Sequence, residues 1–360
     1  MSVHEILIFV MASFALLGAI DRILGNKTGL GKEFENGILA MGALAMAMLG
    51  IIVLAPVLAN LLRPVVVPVY EFLGADPAMF AGTILACDMG AAPLAAELTE
   101  DTRAALLGGV ITGSMLGATV VFTIPVAMGI LEKEDRPFLA KGILCGIVTI
   151  PVGILVGGLV AGFPVGMVLR NLIPVVLIAI LIALGLWKAE KAMIKGFGIF
   201  GKGITALITA GLALAIFQEL TGYTILPGLA PLSEGFQTVG AIAIVLAGAF
   251  PLVYLLTKAL RKPLLKLGKL LHIGDTAAGG LLATLANSIA TFGLIKDMDD
   301  RGKVVNVAFA VSAAFVFGDH MGFTAGFAPE LLPAMIAGKL AGGVSAVAVA
   351  LLLTGKPETT

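Results

Sequence analysis

The sequence predicts an all-α protein that crosses a membrane many times. Of its 360 residues, 59% are hydrophobic and only 13% are charged, and the mean hydropathy is +1.07. Soluble domains carry about 25% charged residues. Apolar runs of about 20 residues, the length that a helix needs to cross a hydrocarbon core about 30 Å thick, recur along the chain. We therefore expect a polytopic membrane protein.

Nine apolar runs are long enough to span a bilayer as helices. They cover 5–24, 36–62, 103–131, 138–162, 166–187, 199–220, 236–257, 303–325 and 329–353. Two further segments, 77–96 and 276–295, are borderline. The chain has about nine transmembrane helices if these two segments are re-entrant or broken, and eleven spans if both cross.

The distribution of Lys and Arg favours the re-entrant alternative, because cytoplasmic loops carry an excess of these residues. With nine spans and the N-terminus outside, all but four of the 23 basic residues lie on the cytoplasmic side. The exceptions are Arg63, Arg103 and Arg170 outside and Lys339 within the membrane. With eleven spans the basic residues are divided far more evenly between the two sides. We therefore expect two re-entrant segments and a cytoplasmic C-terminus.

The chain matches itself at an offset of 199 residues, which predicts an internal duplication. The matches are Glu35 with Glu234, Pro64 with Pro263, Asp76 with Asp275, Asp88 with Asn287 and Asp101 with Asp300. We predict a first repeat over 1–165, a connector helix and cytoplasmic loop over 166–198, and a second repeat over 199–360. Because four spans and one connector reverse the direction of the second half, the two repeats would be inverted.

Composition and motifs exclude several classes of protein. The net charge is zero, so no basic surface is predicted for nucleic acid. The sequence contains no H-E-x-x-H, G-x-S-x-G or Walker motif. Cys87, Cys145 and the three histidines have no metal-ligand spacing. The sequence thus predicts neither an enzyme nor a metal site, and no cofactor.

Two polar residues lie at matching places in the borderline segments. Asp88 lies within the apolar stretch "TILACDMGAAPLAA", and Asn287 lies within "LLATLANSIATFGL". An ionisable group at membrane depth costs about 2.5–3.5 kcal/mol, so it is usually retained for a function. Inverted transporters bind substrate where their broken elements meet. We therefore predict that both residues bind substrate; the alternatives are a helix cap for Asp88 and an interhelical hydrogen bond for Asn287.

A second polar group is predicted near the end of the chain. Asp319 and His320 in "FGDHMGF" lie in one span, and Lys339 lies about ten residues into the next. With a rise of 1.5 Å per residue, Lys339 and Asp319 differ in depth by roughly 6 Å, which a lysine side chain bridges. We predict an ion pair between Asp319 and Lys339. The alternative is that Asp319 and His320 bind substrate or relay protons.

Several longer blocks resemble one known family. The blocks are "AIDRILG", "FENGILAMGALAMAMLG", "LAPVLANLL", "PVYEFLGADPAMFAGTILACDMG" and "RGKVVNVAFAVSAAFVFGDHMGF". Together they resemble the ethanolamine-utilisation permease family of bacteria over nearly the whole chain. The resemblance implies uptake of ethanolamine across the bacterial cytoplasmic (inner) membrane. Ethanolamine is a small primary ammonium with one hydroxyl, so Asp88 would bind the ammonium and Asn287 the hydroxyl.

Three kinds of function stay open at this point. The leading hypothesis is a facilitated or ion-coupled carrier for ethanolamine, held in the lipid bilayer. The second is a channel-like facilitator for small amines. The third is a membrane anchor or sensor of the ethanolamine catabolic system, which the short predicted loops disfavour. Small-residue spacings such as "GGLVAG" let helices pack closely, within a subunit or between subunits of a homo-oligomer.

Overall fold

The computed structural model describes residues 2–355, and this part of the chain is mainly helical with no strand. Eight of its helices are long and apolar enough to cross a membrane. The prediction of an all-α polytopic membrane protein is therefore confirmed. The helices are α1 Val3–Ile23, α2 Leu30–Phe72, α3 Asp88–Leu98, α4 Thr102–Ile130, α5 Lys133–Val160, α6 Val165–Met193, α7 Lys195–Thr221, α8 Leu232–Leu271, α9 Asp275–Ala286, α10 Ser288–Leu294, α11 Asp300–Ala313, α12 Asp319–Phe327 and α13 Leu332–Thr354.

The predicted loop over 188–198 does not form. Helices α6 and α7 follow each other directly, and the chain leaves helical geometry at Ala189, where φ is −144° and ψ is 45°. The side chain of Met193 packs back against Gly185 across this bend. The segment "WKAEKAMIK" is rich in Ala, Lys, Glu and Met, which are strong helix formers. This explains why the connector is helical where a loop was expected.

The borderline segment 77–96 folds as a broken hairpin, here called hairpin one (residues 76–99). It contains a π-helical turn over Ala81–Leu85, an extended break at residues 86 and 87, and then α3. The hydroxyl of Thr99 donates a 2.9 Å hydrogen bond to Oδ2 of Asp76. Because the two ends of the segment touch, the chain enters and leaves hairpin one at the same place.

The second borderline segment has the same plan, here called hairpin two (residues 274–299). Helix α9 ends at an extended residue, Asn287, and α10 begins at the next residue. The backbone N–H of Gly274 donates a 2.7 Å hydrogen bond to Oδ2 of Asp299. Neither hairpin therefore contains a continuous helix that crosses the bilayer. The inverted relation of the two repeats stays a prediction.

Both hairpins are followed by a helix that an aspartate caps, as expected for helix N-termini. Oδ1 of Asp101 accepts a 2.9 Å hydrogen bond from the N–H of Arg103, and Oδ1 of Asp299 accepts a 2.7 Å bond from the N–H of Gly302. The Arg103 side chain, which also donates to Asp101, holds the pKa of that carboxyl below its usual range. The sequence match of Asp101 with Asp300 thus lies at the start of a helix in each half of the chain.

Helix α4 is π-helical over Leu107–Gly117 and again over Thr119–Thr123. Hairpin one packs against this wide part of α4 through backbone contacts. A side chain at Gly82 would collide with the carbonyl of Gly108, and one at Gly117 would collide with the carbonyl of Ala86. Glycine at these positions therefore brings the two backbones together, which places the break of hairpin one against α4.

The predicted span 303–325 is not one helix. It consists of α11 and α12, which are separated by a non-helical stretch over residues 314–318, here called the helix break. The N–H groups of Phe315 and Phe317 donate to the carbonyls of Thr284 and Leu285 in α9, at 3.1 and 2.8 Å. Irregular backbone at membrane depth needs such partners. Hairpin two thus provides the hydrogen bonds that the helix break requires.

Candidate functional site

A cavity of about 340 Å³ lies where the two hairpins, the helix break and α4 meet. We call it the central cavity. Most of its wall is apolar and consists of alanines of α2 and the rings of Phe122 and Phe315. Its polar lining residues are Cys87, Ser114, Thr123, Asn287, Asp319, His320 and Lys339. An apolar cavity with a few converging polar groups is the usual form of a small-molecule site.

Asp88 does not line the central cavity. It is the first residue of α3 and is fully buried, with 0% of its surface exposed. Its Oδ2 lies 2.7 Å from Nδ1 of His320, and its Oδ1 accepts a 3.0 Å hydrogen bond from the N–H of Met89. Asp88 is therefore not placed to contact a substrate in the cavity as expected, because its carboxylate is hydrogen-bonded to the imidazole of His320 and to the N–H of Met89.

The predicted ion pair between Asp319 and Lys339 does not form in the described part of the chain. Lys339 is almost completely buried and donates to the carbonyl of Ser114, in the π-helical part of α4. The buried contact between an acid and a base near the cavity joins Asp88 to His320. Lys339 and Asp319 both line the cavity, in agreement with their similar predicted depth. The sequence does not contain the direction in which each side chain points.

Asp319 is the acidic residue in the wall of the central cavity. It is the first residue of α12 and is partly exposed to the cavity. The described residues donate no hydrogen bond to its carboxylate. An anion that faces a cavity without a partner is suited to bind a small cation.

Asn287 lines the same cavity. Its Oδ1 accepts a 2.8 Å hydrogen bond from the N–H of Ile289 and so caps α10. Asn287 is therefore a helix cap, the role that was considered for Asp88. The amide NH₂ group of Asn287 is left to face the cavity. That group donates hydrogen bonds and suits a hydroxyl oxygen of a ligand.

A second cavity of about 310 Å³ adjoins the central one. The two share Asn287, Phe315 and Asp319 as lining residues, and the far wall of the second cavity carries Glu33 and Tyr254. Phe315 has a positive φ of 59°, which is uncommon for a bulky residue. Its ring packs edge-on against His320, with centroids 5.8 Å apart. Asp319 and Phe315 thus separate the two cavities.

Sequence reasoning singled out Asp88, Asn287, Asp319 and His320, and the structure brings all four to one region. It missed the roles of Ser114 and Cys87. Ser114 contributes a backbone carbonyl, which any residue type provides, so no side-chain signal marks it. The sequence also gave no reason to join Asp88 to His320, because 232 residues separate them.

Broken hairpins that meet a broken helix around an apolar cavity with a few polar groups are the plan of one class of protein, the multi-pass membrane transporter. The chain belongs to the family described as "Ethanolamine utilisation protein, EutH", whose model matches residues 3–353. The resemblance noted in the sequence is therefore confirmed.

Relatives in other bacteria match over the whole chain. A Listeria monocytogenes serotype 1/2a (strain 10403S) protein named "Probable ethanolamine permease EutH" is 59% identical over 356 residues, covering 99% of this chain and 95% of the relative. An Escherichia coli (strain K12) protein of the same name is 49% identical, covering 100% and 98%. "Uncharacterized protein YxeR" of Bacillus subtilis (strain 168) is 51% identical, covering 98% and 96%. No solved structure matches the chain.

Proposed function

We propose that the chain is a carrier that takes up ethanolamine across the bacterial cytoplasmic membrane and binds it as ethanolammonium in the central cavity. Two relatives whose sequences match this chain over nearly its full length carry the name of a probable ethanolamine permease. The excess of Lys and Arg on one side supports an outside N-terminus and a cytoplasmic C-terminus.

The observation that carries the proposal is the Asp319 carboxylate, which faces the cavity without a hydrogen-bond donor from the described residues. A primary ammonium supplies the missing hydrogen-bond donors. A hydrogen bond to a charged group contributes about 1.5–3 kcal/mol. Asp319 replaces Asp88 as the ammonium acceptor, and Asp88 acts through His320.

The second contact of the substrate is the amide NH₂ group of Asn287, which donates to the ethanolamine hydroxyl. The alanines and Phe122 of the cavity wall contact the two methylene groups. A site that hydrogen-bonds a substrate hydroxyl rejects analogues that lack it, because the polar group of the site is then left without a partner. We therefore expect ethylamine to bind more weakly than ethanolamine.

The test is calorimetric binding of ethanolamine and ethylamine to the purified protein. Asp319→Asn should weaken ethanolamine binding by about 10- to 150-fold, the equivalent of the charge-assisted hydrogen bond. Asp297→Asn, at an exposed carboxylate outside the cavity, is the matched control and should bind normally. Unchanged affinity in a folded Asp319→Asn protein would refute the assignment.

A second measurement separates a carrier from a channel. Uptake of radiolabelled ethanolamine by proteoliposomes should saturate, and unlabelled ethanolamine inside the vesicles should accelerate entry of the label. Uptake that rises linearly with concentration and shows no counterflow would favour the channel-like alternative.

Asn287→Ser tests the hydroxyl contact separately. Serine keeps the cap of α10, because Ser and Asn are comparable N-cap residues, but it lacks the amide NH₂ group. The variant should bind ethylamine as wild type does and should lose most of the preference for ethanolamine. An unchanged preference would show that another group contacts the hydroxyl.

A further inference from the structure

Four ionisable side chains from three helices form a group at the central cavity: three line it, and Asp88 lies behind His320. They are Asp88 of α3, Asp319 and His320 of α12, and Lys339 of α13. The other titratable groups that face this region are the thiol of Cys87 and, across the second cavity, Glu33 and Tyr254. Helix α8 packs against α12, but no described side chain of α8 lines the central cavity.

The group contains two acids and two bases, so its charges balance when all four are ionised: two carboxylates then face one imidazolium and one ammonium. Net charge at membrane depth is costly, and the fully ionised group carries none.

The two ring nitrogens of His320 have different surroundings. Nδ1 lies 2.7 Å from Oδ2 of Asp88, which holds a proton on that nitrogen. Nε2 has no hydrogen-bond partner among the described residues, and the ring lines the central cavity. A proton on Nε2 therefore has access to the cavity, whereas the proton on Nδ1 is enclosed with the carboxylate.

A bound substrate changes the balance, because ethanolammonium adds a positive charge beside Asp319. Loss of one proton from His320 restores neutrality, and the residues are adjacent in α12. We propose that His320 is a proton site of the carrier and that binding of a primary ammonium at Asp319 expels the proton from Nε2. This inference rests on the proposed function.

The step balances in atoms and charge. The N–H bond at Nε2 breaks, its electron pair stays on the neutral imidazole, and the proton passes to water in the cavity. Nδ1–H remains bonded to Asp88. The proton-loaded and substrate-loaded carriers then have the same charge, so exchange of a substrate cation for a proton is electroneutral. Net uptake equals movement of the neutral amine and follows the gradients of amine and protons, without a contribution from membrane voltage.

The test measures protons released when ethanolamine binds to the whole purified protein. Calorimetry in two buffers with different ionisation enthalpies gives this number. Wild type should release about one proton per bound ethanolamine. His320→Gln, whose amide still donates to Asp88, should bind ethanolamine and release none. His4→Gln, near the N-terminus, is the matched control and should release protons as wild type does.

Lys339 is the competing proton site, and Lys339→Arg distinguishes the two because arginine keeps the charge but does not deprotonate. Proton release should persist in this variant, and its loss in a folded protein that binds ethanolamine would assign the site to Lys339. If a variant fails to fold, proton release by the wild type still tests the inference. Binding without proton release would overturn the inference alone, whereas absence of ethanolamine binding would overturn the proposed function as well.

Transport provides a second readout in wild-type proteoliposomes. Ethanolamine uptake should accelerate when the vesicle interior is acidic, and a potassium diffusion potential of either sign should leave the rate unchanged. A rate that follows the voltage would contradict electroneutral exchange.

Discussion

The hydroxyl of Thr99 lies 2.9 Å from Oδ2 of Asp76, although 23 residues separate the two. The equivalent contact in the second half joins the N–H of Gly274 to Oδ2 of Asp299 across 25 residues, at 2.7 Å. Each hairpin is therefore closed at its base by a hydrogen bond to an aspartate. A segment closed in this way returns to the side of the membrane from which it entered, and this makes the topology testable.

Cysteines introduced at the two hairpin bases should react from opposite sides of the membrane. In a background with Cys87→Ser and Cys145→Ala, Asp300→Cys should react with a membrane-impermeant maleimide only from the cytoplasm, and Asp101→Cys only from outside. The expectation follows from the predicted inversion of the repeats. Labelling of both positions from the same side of oriented vesicles would contradict the inverted arrangement.

Asp88 and His320 should be energetically coupled. Asp88→Asn and His320→Gln each remove a buried charge-assisted hydrogen bond, so each should lower stability by about 1.5–3 kcal/mol. The double variant should lose less than the sum of the single losses, because the two amides can bond to each other and no buried charge stays unpaired.

Thermal unfolding in detergent measures this coupling. The control cycle combines His320→Gln with Asp297→Asn, which is distant and exposed, and should be additive to within about 0.3–0.5 kcal/mol. Additive losses for Asp88 and His320 would show that the pair makes no net contribution.

Gly318 should not tolerate a side chain. A Cβ at this position would collide with the carbonyl of Ala286, at the end of α9, whereas a Cβ at Gly279 in the same helix has open space around it. Gly318→Ala should destabilise the protein by about 1–3 kcal/mol, the usual range for overpacking. Gly279→Ala should be neutral or stabilising, because alanine is the better helix former. Equal melting temperatures for the two variants would contradict the close contact.

Tyr70 should contribute to the position of hairpin one. Its hydroxyl lies 3.0 Å from Oγ1 of Thr83 in a buried contact between α2 and the π-helical turn. Tyr70→Phe should cost about 0.5–1.5 kcal/mol in thermal unfolding. Tyr223→Phe, at a residue that is 68% exposed, is the control and should have no effect. A loss at Tyr223 as large as that at Tyr70 would argue against a specific role for the buried hydrogen bond.

Hydropathy predicted most of the transmembrane helices because each lies in a long apolar run. Only helices and closed barrels can span the hydrocarbon core of a bilayer. The polar positions within those runs also singled out Asp88, Asn287 and His320, which the structure brings to one region. The repeat offset further predicted that Asp88 and Asn287 lie at comparable places; in the structure Asp88 directly follows the extended residue Cys87, and Asn287 is itself extended.

Other features depend on contacts that a sequence does not contain. The π-helical geometry of α4 accompanies backbone contacts with hairpin one, and glycines occur elsewhere in the chain without that geometry. Likewise, the partner of Lys339 is a carbonyl, which every residue carries. The division of the predicted span 303–325 required the bonds from Phe315 and Phe317 to α9, which lie between distant parts of the chain.

Those two backbone bonds have a mechanical consequence. Because Phe315 and Phe317 are bonded to Thr284 and Leu285 much as two short strands would be, the start of α12 and the tip of hairpin two form one rigid unit. That unit carries Asn287 on one side and Asp319 on the other. A rocking motion that opens the site to either face of the membrane would then carry both residues together. Their contacts with a bound solute would persist while the cavity opens to one side or the other.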